Sequence, residues 1–250
     1  MRPATSVLVC AMLWALGGPA LADQQYSVSG TDRYRIGSSS DLQTQISYSG
    51  TETLTIKKAR NSTRYVAFAR ITKTDQGGAQ AMHASFEATL LPNGEQRDDY
   101  NRDPSYLTVL NQPFSVQLDA ATLGDLSRLH GRLPFGFPAP MTGGALHGFL
   151  TGGPIGTVGG RRAISVRFNA DGPMHGPLPD RPTMSLRGTM HMTGVAYYEL
   201  DNALLLALDA TLTISGNVND VKKATAVSIV YKRSIRAQAL STLKEARFTR

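Results

Sequence analysis

The chain has 250 residues, a formal net charge of +7 and one cysteine, Cys10. Cys10 lies inside a predicted leader, so residues 23–250 hold no cysteine; that excludes disulfide chemistry, cysteine nucleophiles, iron–sulfur clusters and thiolate-zinc sites from the mature chain. The basic excess favours anionic partners, such as anionic lipid headgroups or acidic polysaccharide, over nucleic acid in an exported protein, and scattered Lys and Arg equally serve solubility alone.

Residues 1–22 read as a secretory signal peptide. Arg2 is its one charge, an apolar run extends from Val7 to Leu16, and Ala20-Leu21-Ala22 precedes Asp23. A positive start, an apolar stretch of roughly 7–15 residues and an A-x-A site are the three parts of such a signal, and cleavage is expected after Ala22. The run is too short to cross a bilayer, which takes about 20 residues. No later run is longer, so no transmembrane segment is expected in the mature chain. Val9 before Cys10 is not the small residue that lipid attachment wants. The protein is expected in the periplasm or the medium.

Period-two alternation dominates the remainder, the mark of strands with one buried face. Strands are predicted over 26–36, 44–48 and 52–58, the last two parted by a turn at Ser49-Gly50-Thr51. Further strands follow over 64–74 and 81–91, with Gln76-Gly77-Gly78 as the turn between them. Residues 95–104 are polar and acidic and read as an exposed loop. A strand at 114–118 leads into one clear helix, 119–130. Asp119 caps it, Leu123, Leu126 and Leu129 share a face, and Gly131 ends it.

Residues 133–160 carry Pro134, Pro138, Pro140 and Pro154 among many glycines. They are predicted to be a partly buried, irregular cover, with at most a short strand or helical turn around 145–150. A strand at 163–169 and a Pro/Gly-rich loop at 170–182 come next. The best-defined unit is a hairpin of 184–198 and 203–216, joined by Glu199-Leu200-Asp201-Asn202. Its arms exceed the common strand length of about five or six residues, which suits a tall, curved sheet that Gly188 and Gly194 allow to bend. A turn at 217–220 leads to a last strand, 224–235. The tail, 237–248, reads as a C-terminal helix or a frayed end. About ten strands with short connections predict a single mainly-β domain over 23–250: one large, curved antiparallel sheet, a half-barrel or open barrel, with one short internal helix.

No catalytic or cofactor motif stands out. The five histidines, His83, His130, His147, His175 and His191, make no i, i+2 or i, i+4 pair and no H-E-x-x-H, so no metal is assigned. There is no G-x-S-x-G elbow, and the glycine pairs form no phosphate loop. Asp98-Asp99 reads as a solvated loop and Asp209 as a solvent-facing residue of an apolar arm. No catalytic residue and no cofactor is expected, while a hydrolase with a non-contiguous site stays open as an alternative. The collective signal is apolar. Met82, Met141, Met174, Met184, Met190 and Met192, with Phe135, Phe137 and Phe149, suit a surface that adapts to varied apolar partners. The expected lining is Leu123, Leu126, Phe135, Phe137, Met141, Phe149, Met190 and Met192.

The segment 114–133, with its helix, and the hairpin 184–216 together resemble bacterial envelope half-barrels of the lipoprotein-carrier type. That resemblance implies a concave sheet face that binds an acyl chain or a lipoprotein without catalysis. The expectation is an exported, non-enzymatic envelope protein that binds an apolar ligand, a lipid or acyl chain, or an envelope partner. A structural or interaction module without ligand is the second expectation.

Overall fold

The computed structural model describes residues 21–37, 43–59, 61–90, 96–98, 118–128, 131–138, 145–178, 181–220 and 223–238. Strands β1 (Leu21–Ile36), β2 (Gln43–Ala59), β3 (Ser62–Asp75), β4 (Gly78–Leu90) and β5 (Gln96–Asp98) precede helix α1 (Ala120–Ser127). Strands β6 (Arg132–Pro138), β7 (Ala145–Val158), β8 (Arg161–Leu178), β9 (Arg181–Glu199), β10 (Leu205–Asp220) and β11 (Lys223–Ala237) follow it. Each group is an antiparallel meander. The two join where β1 pairs with β11, from Tyr26↔Ala237 to Ile36↔Val227. Among the described residues one 11-stranded sheet results, with β5 and β6 at its edges and no pairing between them. The expected fold class is the one observed: a single large antiparallel sheet, not closed into a barrel, with one short helix.

Alternation sets the faces. Tyr26, Val28 and Asp32 of β1 are buried, as are Arg233, Ile235 and Ala237 of β11, Leu208, Ala210, Leu212 and Ile214 of β10, and Met190, Met192 and Ala196 of β9. The register places these side by side on one face. Polar residues at the intervening positions form the outer face. The sheet curves around its helix. Asp119, at the start of a helix that packs on β7 and β8, acts electrostatically on the Tyr65 phenol of β3, although β3 and β8 are far apart in strand order.

The helix forms as its sequence dictates. The Asp119 carboxylate accepts a hydrogen bond from the Thr122 N–H at 2.6 Å, and Leu123 and Leu126 are buried. The Gly131 N–H donates to the Leu126 carbonyl. Gly152 on β7 lets the helix lie close, since a Cβ there would sit 2.0 Å from the Leu126 carbonyl oxygen.

Four expectations are corrected. Ser49-Gly50-Thr51 is no turn, because β2 runs unbroken from Gln43 to Ala59. Gly50 instead permits close packing of β2 on β3, where a Cβ would stand 2.1 Å from the Arg70 carbonyl oxygen. The segment 133–160 is no irregular cover. Its described residues form the edge strand β6 and most of β7, and an edge tolerates Pro134 because its N–H need not join a ladder. Residues 170–178 extend β8 and 181–182 open β9, so Gly172, Pro173, Gly176 and Pro177 lie within a strand rather than end it. Asn217–Asp220 likewise continues β10, paired with β11 as far as Asp220↔Lys223. Met141, most of the 95–104 loop and the tail beyond Gln238 lie outside the described residues.

Candidate functional site

The apolar lining predicted from sequence is divided by the fold. Leu123, Leu126, Met190 and Met192 lie together in the core and are at most 1% exposed. Phe135 on β6 is half-buried against that core, as are Leu133 beside it and Met82 on β4. Phe149 points to the outer face, 43% exposed, with the Arg132 guanidinium 3.7 Å from its ring centroid. It alternates with Leu146 and Leu150, which are buried, and so cannot share a lining with Met190. Phe137 falls within β6, but its side chain, like all of Met141, lies outside the described residues.

A polar cluster crosses the inner face where sequence reasoning expected apolar residues. Asp32 and Arg233 form an ion pair at 2.5 Å with both side chains fully buried. The same Arg233 nitrogen donates to the Lys232 carbonyl at 2.9 Å. Its guanidinium carbon lies 4.8 Å from the Tyr48 ring centroid and 5.7 Å from that of Tyr231, within reach of cation–π attraction. Tyr34 meets Tyr231 edge-on, 6.0 Å between centroids. Burial, then the Asp32 charge, pushes the Tyr34 phenol up to about 12, and burial first also raises Tyr48 and Tyr231. The phenols therefore stay neutral donors over the physiological range.

Glu52 on β2 is the second buried acid, 1% exposed. Neither carboxyl oxygen has a hydrogen-bond partner, and desolvation raises its pKa well above the carboxylate range. Its cross-strand neighbours are Tyr26 and Ala69. The Tyr26 hydroxyl is already committed to the Leu205 carbonyl at 2.9 Å, and Ala69 has nothing to offer. Sequence carried a signal for all three residues. Asp32 is in phase with Tyr26 and Val28, Glu52 with Leu54 and Ile56, and Arg233 with Tyr231 and Ile235.

The outer face bears the exposed chemistry. His191 Nδ1 lies 2.5 Å from Asp171 Oδ1 across β8 and β9. By register the residue beyond His191 is Thr213. Among the described residues no His, Cys, Asp and Glu side chains gather in threes for a metal. A hollow of about 480 Å³ spans β1, β11, β10 and β9, bordered by Ser29, Thr31, Thr193, Thr211, Lys232 and Ser234. Asp209 on its border is held by Arg236 at 2.5 Å. No helix of the described chain is long and apolar enough to cross a membrane. Compared with known proteins, the chain matches no family profile and has no significant relative among curated proteins.

Proposed function

We propose that the protein is an exported, non-enzymatic cell-envelope protein that binds an apolar ligand, a lipid or acyl chain, beneath its curved sheet. The observation that carries this reading is that, among the described residues, the outermost strands β5 and β6 have no strand paired on their outer sides. Among the described residues the apolar inner face ends in half-buried side chains towards either side of the sheet, Met82 on β4, next to the short β5, and Leu133 on β6. An apolar chain lying against Met82 and Leu133 would bury the area that they expose among the described residues. The leader pattern supports export. Regular pairing of β1 with β2 begins at Gln24↔Leu54, after a break in register from Leu21, so cleavage after Ala22 leaves that ladder intact.

The test is native mass spectrometry of the protein recovered gently from periplasm or medium, with lipid extraction in parallel. A mature chain starting at Asp23, with a lipid adduct that disappears in Leu133→Asp, is the expected result. A mass that stays bare after exposure to fatty acids and phospholipids would overturn the reading. The second reading, a structural module without ligand, is favoured by the complete sealing of Leu126 and Met192, and a bare mass would leave it in front.

A further inference from the structure

The outer face of β1 and β8–β11 carries a row of hydrogen-bonding side chains in direct cross-strand register. Asn169 faces Thr193, Thr193 faces Thr211, Thr211 faces Lys232, Lys232 faces Thr31, and Thr31 faces Ser47. Strand spacing of about 4.8 Å makes this row roughly 24 Å long. Ser29 and Ser234 flank it, and the 480 Å³ hollow lies over its centre. The side chains are short, so the row is a shallow trough rather than a wall.

Its charge is one-sided. Arg33, Arg35, Arg167, Arg187 and Lys232 are exposed on this same face. Asp209 is paired with Arg236, and Asp171, hydrogen-bonded to His191, is one carboxylate against these five cations. Among the described residues no ion pair holds Lys232, Arg35, Arg167 or Arg187. A face of hydroxyls with an uncompensated cationic border matches a polymer that presents many hydroxyls and regularly spaced negative charge. An anionic membrane surface would share the charge attraction, but as a fluid surface it makes no use of a row of hydroxyls in fixed register. Phe149, at the Asn169 end of the row, adds one exposed ring against which the apolar face of a sugar can rest.

We infer that the trough over β1, β11, β10 and β9 binds an extended acidic polysaccharide, with Lys232 taking a carboxylate and Thr31, Thr193 and Thr211 the sugar hydroxyls. This site is separate from the apolar one proposed above, because it lies on the opposite face of the sheet.

The probe is polygalacturonate, titrated by calorimetry into the purified full chain at low salt. Neutral dextran and phosphatidylglycerol vesicles serve as comparison ligands. Lys232→Glu should weaken binding about tenfold or more, and Thr211→Val about threefold to tenfold, the range of one hydrogen bond. Thr211→Val keeps a β-branched side chain, and equal melting temperatures would show that the strand is intact. Lys58→Glu, at the far end of β2, changes net charge equally and should alter affinity less than about twofold. Absence of polygalacturonate binding overturns the inference. So does equal weakening by Lys58→Glu and Lys232→Glu, which marks diffuse attraction, and so does binding to the vesicles in place of the polysaccharide.

Discussion

Two buried carboxyls sit on neighbouring strands of one sheet face, and their surroundings have little in common. Asp32 is enclosed by Arg233 and the phenols of Tyr34 and Tyr48. Glu52 faces Tyr26, whose hydroxyl is spent elsewhere, and Ala69, which has nothing to donate. Both acids lose their hydration on folding. Only the first recovers the loss through a counter-ion and hydrogen bonds; the second has neither, and burial raises its pKa. A charged residue in a core position therefore says little until its partners are known.

The strongest way to break this contrast is to remove one partner of the ion pair. Arg233→Met leaves Asp32 buried without its cation and should cost about 3–5 kcal/mol in urea unfolding. The double variant Asp32→Leu/Arg233→Met should recover most of that loss, because replacing a buried pair by apolar side chains is often near neutral. A loss below about 1 kcal/mol for Arg233→Met would mean that Asp32 does not need its cation, and the contrast with Glu52 would vanish.

The converse substitution is expected to stabilise. Glu52→Met removes a buried polar group that has no partner and should add about 1–3 kcal/mol near neutral pH. The sign with pH follows from the raised pKa of Glu52 in the folded chain. Its carboxyl ionises at the ordinary carboxylate value once the chain unfolds, so the unfolded state binds fewer protons than the folded one. Stability contributed by this group is intact below the ordinary carboxylate range and falls as pH rises towards the raised value. The gap between Glu52→Met and wild type should accordingly be wider at pH 8 than at pH 4. An equal gap at both values would show that Glu52 finds a partner in solution.

The sheet was legible in the sequence and the polar cluster was not, for one physical reason. Alternation reports which side chains share a face, and it located most of the strands and both arms of the long hairpin. It was overridden where Gly and Pro were read as stops. Gly50 and Gly152 serve close backbone approach instead, and Pro134 occupies an edge strand. Of the predicted lining, Leu123, Leu126, Met190 and Met192 are sealed in the core, while Phe149 is out of phase with Leu146 and Leu150 and faces outward. The same alternation placed Asp32, Glu52 and Arg233 among buried residues. A single strand does not reveal whether an inward acid has a cation opposite, because that depends on β1 meeting β11 some 201 residues later in the chain.

A smaller effect separates local from long-range stabilisation. Asp119→Ala removes the cap of α1, which should cost about 1 kcal/mol, well short of Arg233→Met. The helix touches the sheet mainly through Leu123 and Leu126, so the loss should appear as faster amide exchange in 120–127 with little change across β9–β11. Uniform acceleration across the sheet would show instead that the helix holds the curved sheet in shape.

The smallest expected effect belongs to the pair that looks most like the buried one. Arg64 and Glu87 make two hydrogen bonds across β3 and β4, with Arg64 Nε 2.5 Å from a Glu87 carboxylate oxygen, the same separation as in Asp32–Arg233. Their side chains are 51% and 42% exposed. Water solvates each charge when the other is removed, so neither is stranded as Asp32 would be. Arg64→Ala should leave the urea midpoint unchanged within error and should do so equally at low and high salt. Glu87, held below the ordinary carboxylate range by its bond to Arg64, should return to that range in the variant, which a carboxyl NMR titration would read directly. A midpoint shift as large as that of Asp119→Ala would mean that contact geometry outweighs burial, and the difference between the two faces of the sheet would have to be sought elsewhere.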